Sequence, residues 1–243
     1  MKNTLTLTII TAAVILFSAC DNRSICIKGN GHEATQEFEV ADFENLELEG
    51  SFNVNITQGK RFEIKATGDD NILQDLKINR TENTCKLEMR NGCYKNFDLE
   101  VDITMPVLEQ VFLDGSGDIT IDAFENIGDI YMEINGSGNI ELQDIDNLDK
   151  MSAEINGSGN IEARKIVTGV NQLDLAVNGS GNLELFKLEA TNVDLGINGS
   201  GDAEVSASST LDVEIAGSGN VLYKGTPAVN TKITGSGSVI NAN

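Results

Sequence analysis

The sequence predicts an all-β protein, a right-handed parallel β-helix with a β-rich N-terminal portion. Seven Gly-Ser-Gly tripeptides begin at Gly115, Gly136, Gly157, Gly179, Gly199, Gly217 and Gly235, spaced 21, 21, 22, 20, 18 and 18 residues apart. Self-similarity at a near-constant period marks one supersecondary unit stacked on copies of itself. Around each tripeptide apolar and polar residues alternate, the period of a strand with one buried face. Glycine is abundant (24 residues) beside two prolines, and aromatics make up only 5% of the chain, which suits tight corners between short strands rather than long helices.

The N-terminus reads as an address. Met1-Lys2-Asn3 gives a positive start, Leu5 to Phe17 an uncharged apolar run, and Ser18-Ala19-Cys20 a small-residue close. That order describes a signal peptide over residues 1–19, too short to span a bilayer. Phe17-Ser18-Ala19-Cys20 resembles the bacterial lipobox, with Phe17 where leucine is usual. The resemblance implies a diacylglycerylated Cys20 thiol, cleavage after Ala19 and acylation of the new amine. Two or three acyl chains anchor stably where one is marginal. The alternative is a plain signal peptide with a coincidental cysteine. Residues 20–36 are expected to form the lipidated tether.

Net charge is −21 from 17 basic and 38 acidic side chains; loss of Lys2 on cleavage makes it −22 (16 minus 38). This excludes nucleic acid, whose phosphates need a basic surface. It favours a soluble, self-repelling chain and therefore a monomer. Cys26, Cys85 and Cys93 remain after processing and permit one disulfide outside the inner membrane. Asn91-Gly92 predicts a hairpin turn that places Arg90 opposite Cys93, so the pairing stays open. No cysteine or histidine spacing fits zinc.

Residues 37–105 form the N-terminal β-rich portion, continuous with the repeats of 106–243. Phe38-Glu39-Val40, Phe52-Asn53-Val54-Asn55-Ile56 and Leu99-Glu100-Val101-Asp102-Ile103 alternate strictly. Asp69 to Leu76 is the one predicted helix, opened by an Asp cap. Gly50-Ser51-Phe52-Asn53 resembles an imperfect corner, which places the start of the periodic body before Gly115.

Within the repeats, Leu113, Ile134, Ile155, Val177, Ile197, Ile215 and Ile233 stand two residues before the first glycine, and all are apolar. Each copy is strand, corner, strand and a third short segment, and stacking alone buries its apolar side. Tandem antiparallel hairpins and a parallel β-helix both fit this pattern. Hairpin loops vary freely in length, whereas a coil must return to the same place, so the 18–22 range favours coils of three short strands. Asn135, Asn156, Asn178 and Asn198 before the corner and the serines within it would then stack in ladders. The glycines flanking serine are expected to supply positive φ and close approach.

These features resemble the bacterial head GIN domain family of auto-transporter adhesins. The resemblance rests on residues 50–59 (GSFNVNITQG), Leu113-Asp114-Gly115-Ser116-Gly117-Asp118-Ile119 and Gly196-Ile197-Asn198-Gly199-Ser200-Gly201, and extends from about Phe38 to the C-terminus. It implies a β-helix and a Bacteroidetes-type envelope lipoprotein, and transfers no catalytic residue.

The chemistry open to the repeats is narrow. Calcium-binding nonapeptides need an aspartate turn about every nine residues, half the spacing here, and a phosphate loop needs a following lysine and helix. The candidate metal ligands are Glu141, Glu162, Glu184 and Glu204, each five residues past its first glycine and stacked at strand spacing in a coil. The plain alternative is a solvated column screened by salt. A polysaccharide-active enzyme would want carboxylates, a base and aromatic platforms. The repeats offer Tyr131, Tyr223, Phe124, Phe186 and Arg164, with no histidine. The expected function is a non-enzymatic, lipid-anchored envelope protein, an adhesin or surface-interaction module without a cofactor. It would be held in the outer membrane through Cys20, on either face, and bind a glycan or protein. The alternatives are an envelope carbohydrate-active enzyme and a periplasm-facing structural or signalling component.

Overall fold

The computed structural model describes residues 26–243, of which strand is the dominant element (69% of the protein, against 2% helix). The signal peptide and Cys20 lie outside the described residues.

The strands leading into the corners stack parallel and in register: Asn45–Gly50, Gln110–Gly115, Gly128–Gly136, Leu148–Gly157 and Val167–Gly179, continued by the ends of Asn182–Gly199, Ala203–Gly217 and Ala228–Gly235. Gly50 therefore starts the glycine column that ends at Gly235, so the imperfect corner at Gly50 belongs to the periodic body. Strands leaving the corners form a second parallel stack, through Asn53–Gln58, Asp118–Asp122, Asn139–Leu142, Asn160–Ala163 and their successors to Ser238–Asn241. A third, more irregular side closes each coil, with pairings such as Phe124 to Ile145 and Val167 to Leu188. Successive copies pair in parallel, which rules out tandem hairpins and gives a β-solenoid of about six turns.

Burial follows the sequence pattern. Leu113, Ile134, Ile155, Val177, Ile197 and Ile215 form one inward column, none more than 1% exposed. Each such side chain contributes about 1.5–3 kcal/mol by leaving water.

The two glycines of a corner have different reasons to be there. The first supplies the positive φ, +149° at Gly136 and +150° at Gly157. The second does not, so the expectation of positive φ at Gly138 and Gly159 is corrected. What fixes Gly138 is proximity: a Cβ there would lie 2.0 Å from the Gly117 carbonyl oxygen. Each corner serine donates its N–H to a glycine carbonyl of the preceding coil, as Ser158 does to Gly136 at 2.8 Å. The asparagines before the corner form the expected ladder, Asn156 to Asn135 at 3.1 Å, Asn178 to Asn156 at 2.9 Å and Asn198 to Asn178 at 3.0 Å. The serine hydroxyls form no comparable ladder. Among the described residues only Ser218 and Ser236 approach, at 3.5 Å; the corner serines are bonded between coils through their backbone N–H groups.

The N-terminal portion closes one end. Thr84–Met89 and Leu99–Met105 lie parallel beside Asn45–Gly50 and Asn53–Gln58, continuing the two stacks by one level. Antiparallel strands then take over: Leu76–Thr81 beside the first, Glu63–Asp69 and Glu33–Phe38 beside the second. The helix is shorter than expected, Asp70–Leu73, and buries Ile72 and Leu73. Asp69 does not cap it by its side chain. That carboxylate accepts instead from the backbone N–H of Gly31 and of Asp98, donors that the incoming chain would otherwise leave unpaired.

Two further expectations change here. The hairpin turn falls at Glu82-Asn83, between Leu76–Thr81 and Thr84–Met89, rather than at Asn91-Gly92. Cys26 and Cys93 form the disulfide, with Cα atoms 4.4 Å apart, while Cys85 points into the core beside Leu46. The segment read as tether up to residue 36 is built into the fold from Cys26 onward: Ile27–Lys28 pairs with Tyr94–Lys95, and Glu33–Phe38 is a strand. At the opposite end Ala228–Gly235 is exposed along its whole length among the described residues.

Candidate binding face and groove

The stack that leaves the corners carries the polar columns of interest. Register places Thr120, Glu141, Glu162, Glu184, Glu204 and Leu222 side by side on successive coils, pointing outward. The four glutamates singled out in the sequence therefore do share one column. Arg164 divides it. Its guanidinium pairs with Glu141 at 3.0 Å and with Glu162, and its hydrogen bond to Glu141 holds that carboxyl below the usual carboxylate range. Among the described residues no group of three or more histidine, cysteine, aspartate or glutamate side chains is placed to hold a metal ion.

Beside this column runs a second ladder, at the residue after each Gly-Ser-Gly. Asn139 donates to Asp118, Asn160 to Asn139, Asn182 to Asn160, Asp202 through its N–H to Asn182, and Asn220 to Asp202. Its first members, Asp118, Asn139 and Asn160, line a shallow depression of about 430 Å³ with Asn55, Glu141 and Arg164.

A larger groove of about 790 Å³ opens further along, at the edge between this stack and the third side. A change in coil length makes it. The intervals between corners fall from 22 to 20 to 18 residues after Gly157. Pairing passes directly from Leu185↔Val205 to Glu189↔Ser206, so residues 186–188 of the longer coil have no register partners on the shorter one. The backbone carbonyl of Phe186 is satisfied by the Ser206 hydroxyl at 2.7 Å. Lys224, paired in register with Ser206, reaches back over that small residue and places Nζ 4.1 Å from the centre of the Phe186 ring. Ile166, 62% exposed, stands on the lip.

The other aromatics noted in the sequence are dispersed. Phe124 is core, Tyr223 packs partly against the core, and Tyr131 pairs with Phe112 at 5.7 Å while donating its hydroxyl to Glu133. Burial and that hydrogen bond push the Tyr131 phenol up to about 12. Lys224 and the step in coil length were not singled out in the sequence. The shrinking interval was the available signal.

Glycine corners, an N-terminal cap and outward polar columns define a capped parallel β-solenoid. The chain belongs to the family described as "Putative auto-transporter adhesin, head GIN domain", whose model matches residues 42–227. Among solved structures it is similar to a "putative lipid binding protein" from Parabacteroides distasonis, with 26% identity, TM-score 0.74, and 89% of this chain and 99% of that one covered. A "putative adhesin" from Bacteroides fragilis shares the fold at 24% identity and TM-score 0.81, covering 88% of this chain and 99% of that one. A third, from Parabacteroides merdae, gives 22% identity and TM-score 0.71 over 89% and 99% of the two chains. No curated protein matches. Among the described residues no helix is long and apolar enough to cross a membrane.

Proposed function

We propose that the protein is a lipid-anchored outer-membrane lipoprotein that acts without catalysis, as an adhesin-like module binding other molecules along its flat sides. The unbroken register from Gly50 to Gly235 carries this reading. It holds side chains in fixed columns along a rigid body, so a ligand meets a pre-ordered surface and little ordering entropy opposes binding. The N-terminal cap supports the anchor. Cys26 is fastened to Cys93, and Cys20 precedes it by six residues (26 minus 20). Six residues span at most about 21 Å, so lipid at Cys20 would keep the capped end near the membrane. The open coils would then project away from it, and the acidic body would be repelled by anionic headgroups.

Two measurements on cells and protein test this. Cys20→Ala should leave a product that no longer partitions into detergent, whereas wild type does. Protease shaving of intact cells then reports which side of the outer membrane the solenoid occupies. Incubating residues 21–243 with a panel of glycans and matrix proteins should give binding without turnover. Depolymerisation of a glycan, lost on substitution of a single carboxylate, would replace this reading with a carbohydrate-active enzyme.

A further inference from the structure

The groove at the step between long and short coils has a chemistry of its own. Phe186 and Lys187 stand on the skipped residues, Ala163, Ala190 and Ala207 floor it, and Glu184, Glu189 and Glu204 surround it. Glu162 also lines it but is engaged by Arg164. Among the described residues the other three carboxylates take part in no hydrogen bond or ion pair. Lys224 could have approached them, yet its ammonium rests on the Phe186 ring. A cation on an aromatic face is attracted by the ring quadrupole, more strongly as water is excluded. The protein thus already seats one primary ammonium in this groove.

We infer that the groove receives a lysine or arginine side chain of a partner protein, and that Lys224 is a built-in placeholder for it. The inference rests on the interaction-module reading above. A long basic side chain lays its methylenes on apolar surface and keeps its charge in a polar setting. The alanine floor and the exposed Ile166 offer the first, and the Phe186 ring with Glu184 and Glu204 offers the second. Charge complementarity selects the sign: the chain carries −21 overall, and the groove lining sets Glu162, Glu184, Glu189 and Glu204 against the ammonium groups of Lys187 and Lys224, with Arg164 close enough to act on Glu184. Such a field steers cationic partners inward and slows anionic ones.

Residues 21–243 would be titrated at low salt with three probes: a short peptide carrying two lysines beside a leucine, the same peptide with its lysines replaced by glutamate, and a neutral oligosaccharide. The lysine peptide should bind, weaken at least fivefold as salt rises from 20 to 200 mM, and weaken at least fivefold in Phe186→Ala and in Glu184→Gln/Glu204→Gln. Lys224→Ala should bind it several-fold more tightly, because the internal competitor and one positive charge are gone. Glu133→Gln, on the other stack, should change nothing. Equal loss with Glu133→Gln would reduce the effect to non-specific attraction and overturn the assignment. No binding, or weaker binding in Lys224→Ala, would also overturn it. Preference for the oligosaccharide would refute the cationic partner while leaving the interaction module intact. Cleavage of the oligosaccharide would overturn both.

Discussion

Asn160 donates both its backbone N–H and its side-chain amide to a single atom, Oδ1 of Asn139, at 3.1 and 2.8 Å. Asn182 repeats the arrangement on Asn160, at 3.1 and 2.9 Å. Each asparagine is therefore acceptor for the next coil and donor to the previous one, and the ladder supports the backbone where it leaves the corner. Asp118 and Asp202 occupy the same column as acceptors without an amide to donate.

The ladder predicts an order of damage. Asn160→Ala removes its own amide donor, leaves the Asn182 side-chain amide without its acceptor and leaves the Asn182 N–H only the Gly159 carbonyl at 3.2 Å, at about 1–3 kcal/mol for the half-buried group orphaned. Asn160→Asp keeps the acceptor and loses only one donor, so it should cost clearly less at neutral pH. Urea unfolding of the two variants checks this. Equal losses would show that the asparagine acceptor is not what the next coil uses.

The corner glycines give a sharper contrast. An alanine at Gly157 would combine φ of +150° with a Cβ 2.1 Å from the Gly136 carbonyl oxygen, and at Gly159 the Cβ would lie 2.1 Å from that of Gly138. Strained φ and overpacking each cost on the order of 1–3 kcal/mol. Gly196, by comparison, has no atom within 4 Å of an added Cβ and no positive φ. Gly196→Ala should be neutral or slightly stabilising, since alanine restricts the unfolded chain. Melting of the three variants decides it, and a Gly159→Ala as stable as Gly196→Ala would refute the close-approach argument.

Much of this was readable from residues. The period located the corners, the alternation located the inward column, and the asparagines before the corner implied their ladder. Asn139, Asn160, Asn182 and Asn220 recur directly after the corner and carry the same kind of signal. The N-terminal cap was less legible, because its pairings join distant segments such as Glu33–Phe38 and Glu63–Asp69. No local pattern specifies such a partner. Asn91-Gly92 has the composition of a turn, yet the inward alternation of Ile78 and Leu87 fixes the hairpin nine residues earlier, at Glu82-Asn83 (91 minus 82). The 18–22 range implies closure, and its fall from 22 to 18 residues after Gly157 opens the groove.

Arg164 makes stability depend on pH in a defined direction. Because its guanidinium holds Glu141 below the usual carboxylate range, the pair stabilises the fold above the unfolded carboxylate pKa. That contribution is lost as pH falls through the lower, folded value. Arg164→Met should therefore melt below wild type at pH 7, and the difference should shrink as pH falls through the lowered Glu141 value and vanish once that carboxyl is protonated. A gap unchanged throughout the acid range would assign the effect to lost packing of the arginine stem.

Cys85 should behave as an inert thiol. It is fully buried, and burial pushes its pKa up to about 12, so little thiolate exists at pH 8. With Cys26 and Cys93 joined, residues 21–243 should show no reactive thiol when folded and one when denatured. Three thiols in the denatured protein would mean that the Cys26–Cys93 bond had not formed.

The exposed final coil bears on self-association. Val229, Ile233 and Ile240 are 39%, 41% and 47% exposed there, beside the unpaired edge of Ala228–Gly235. An open, apolar strand edge invites pairing with another chain. Charge opposes it: the chain as a whole carries −21, though no acidic residue follows Glu214, and Lys224 and Lys232 lie near the edge. Repulsion between whole bodies reaches about 30 Å at 0.01 M salt and about 3 Å at 1 M, whereas apolar contact acts only on touching. The protein should accordingly sediment as a monomer at low salt, with any dimer appearing only when salt is high. Ile233→Lys, at an already exposed position, should abolish that dimer without lowering the melting temperature. A dimer at low salt would contradict the charge argument, and a high-salt dimer insensitive to Ile233→Lys would place the contact away from the open edge.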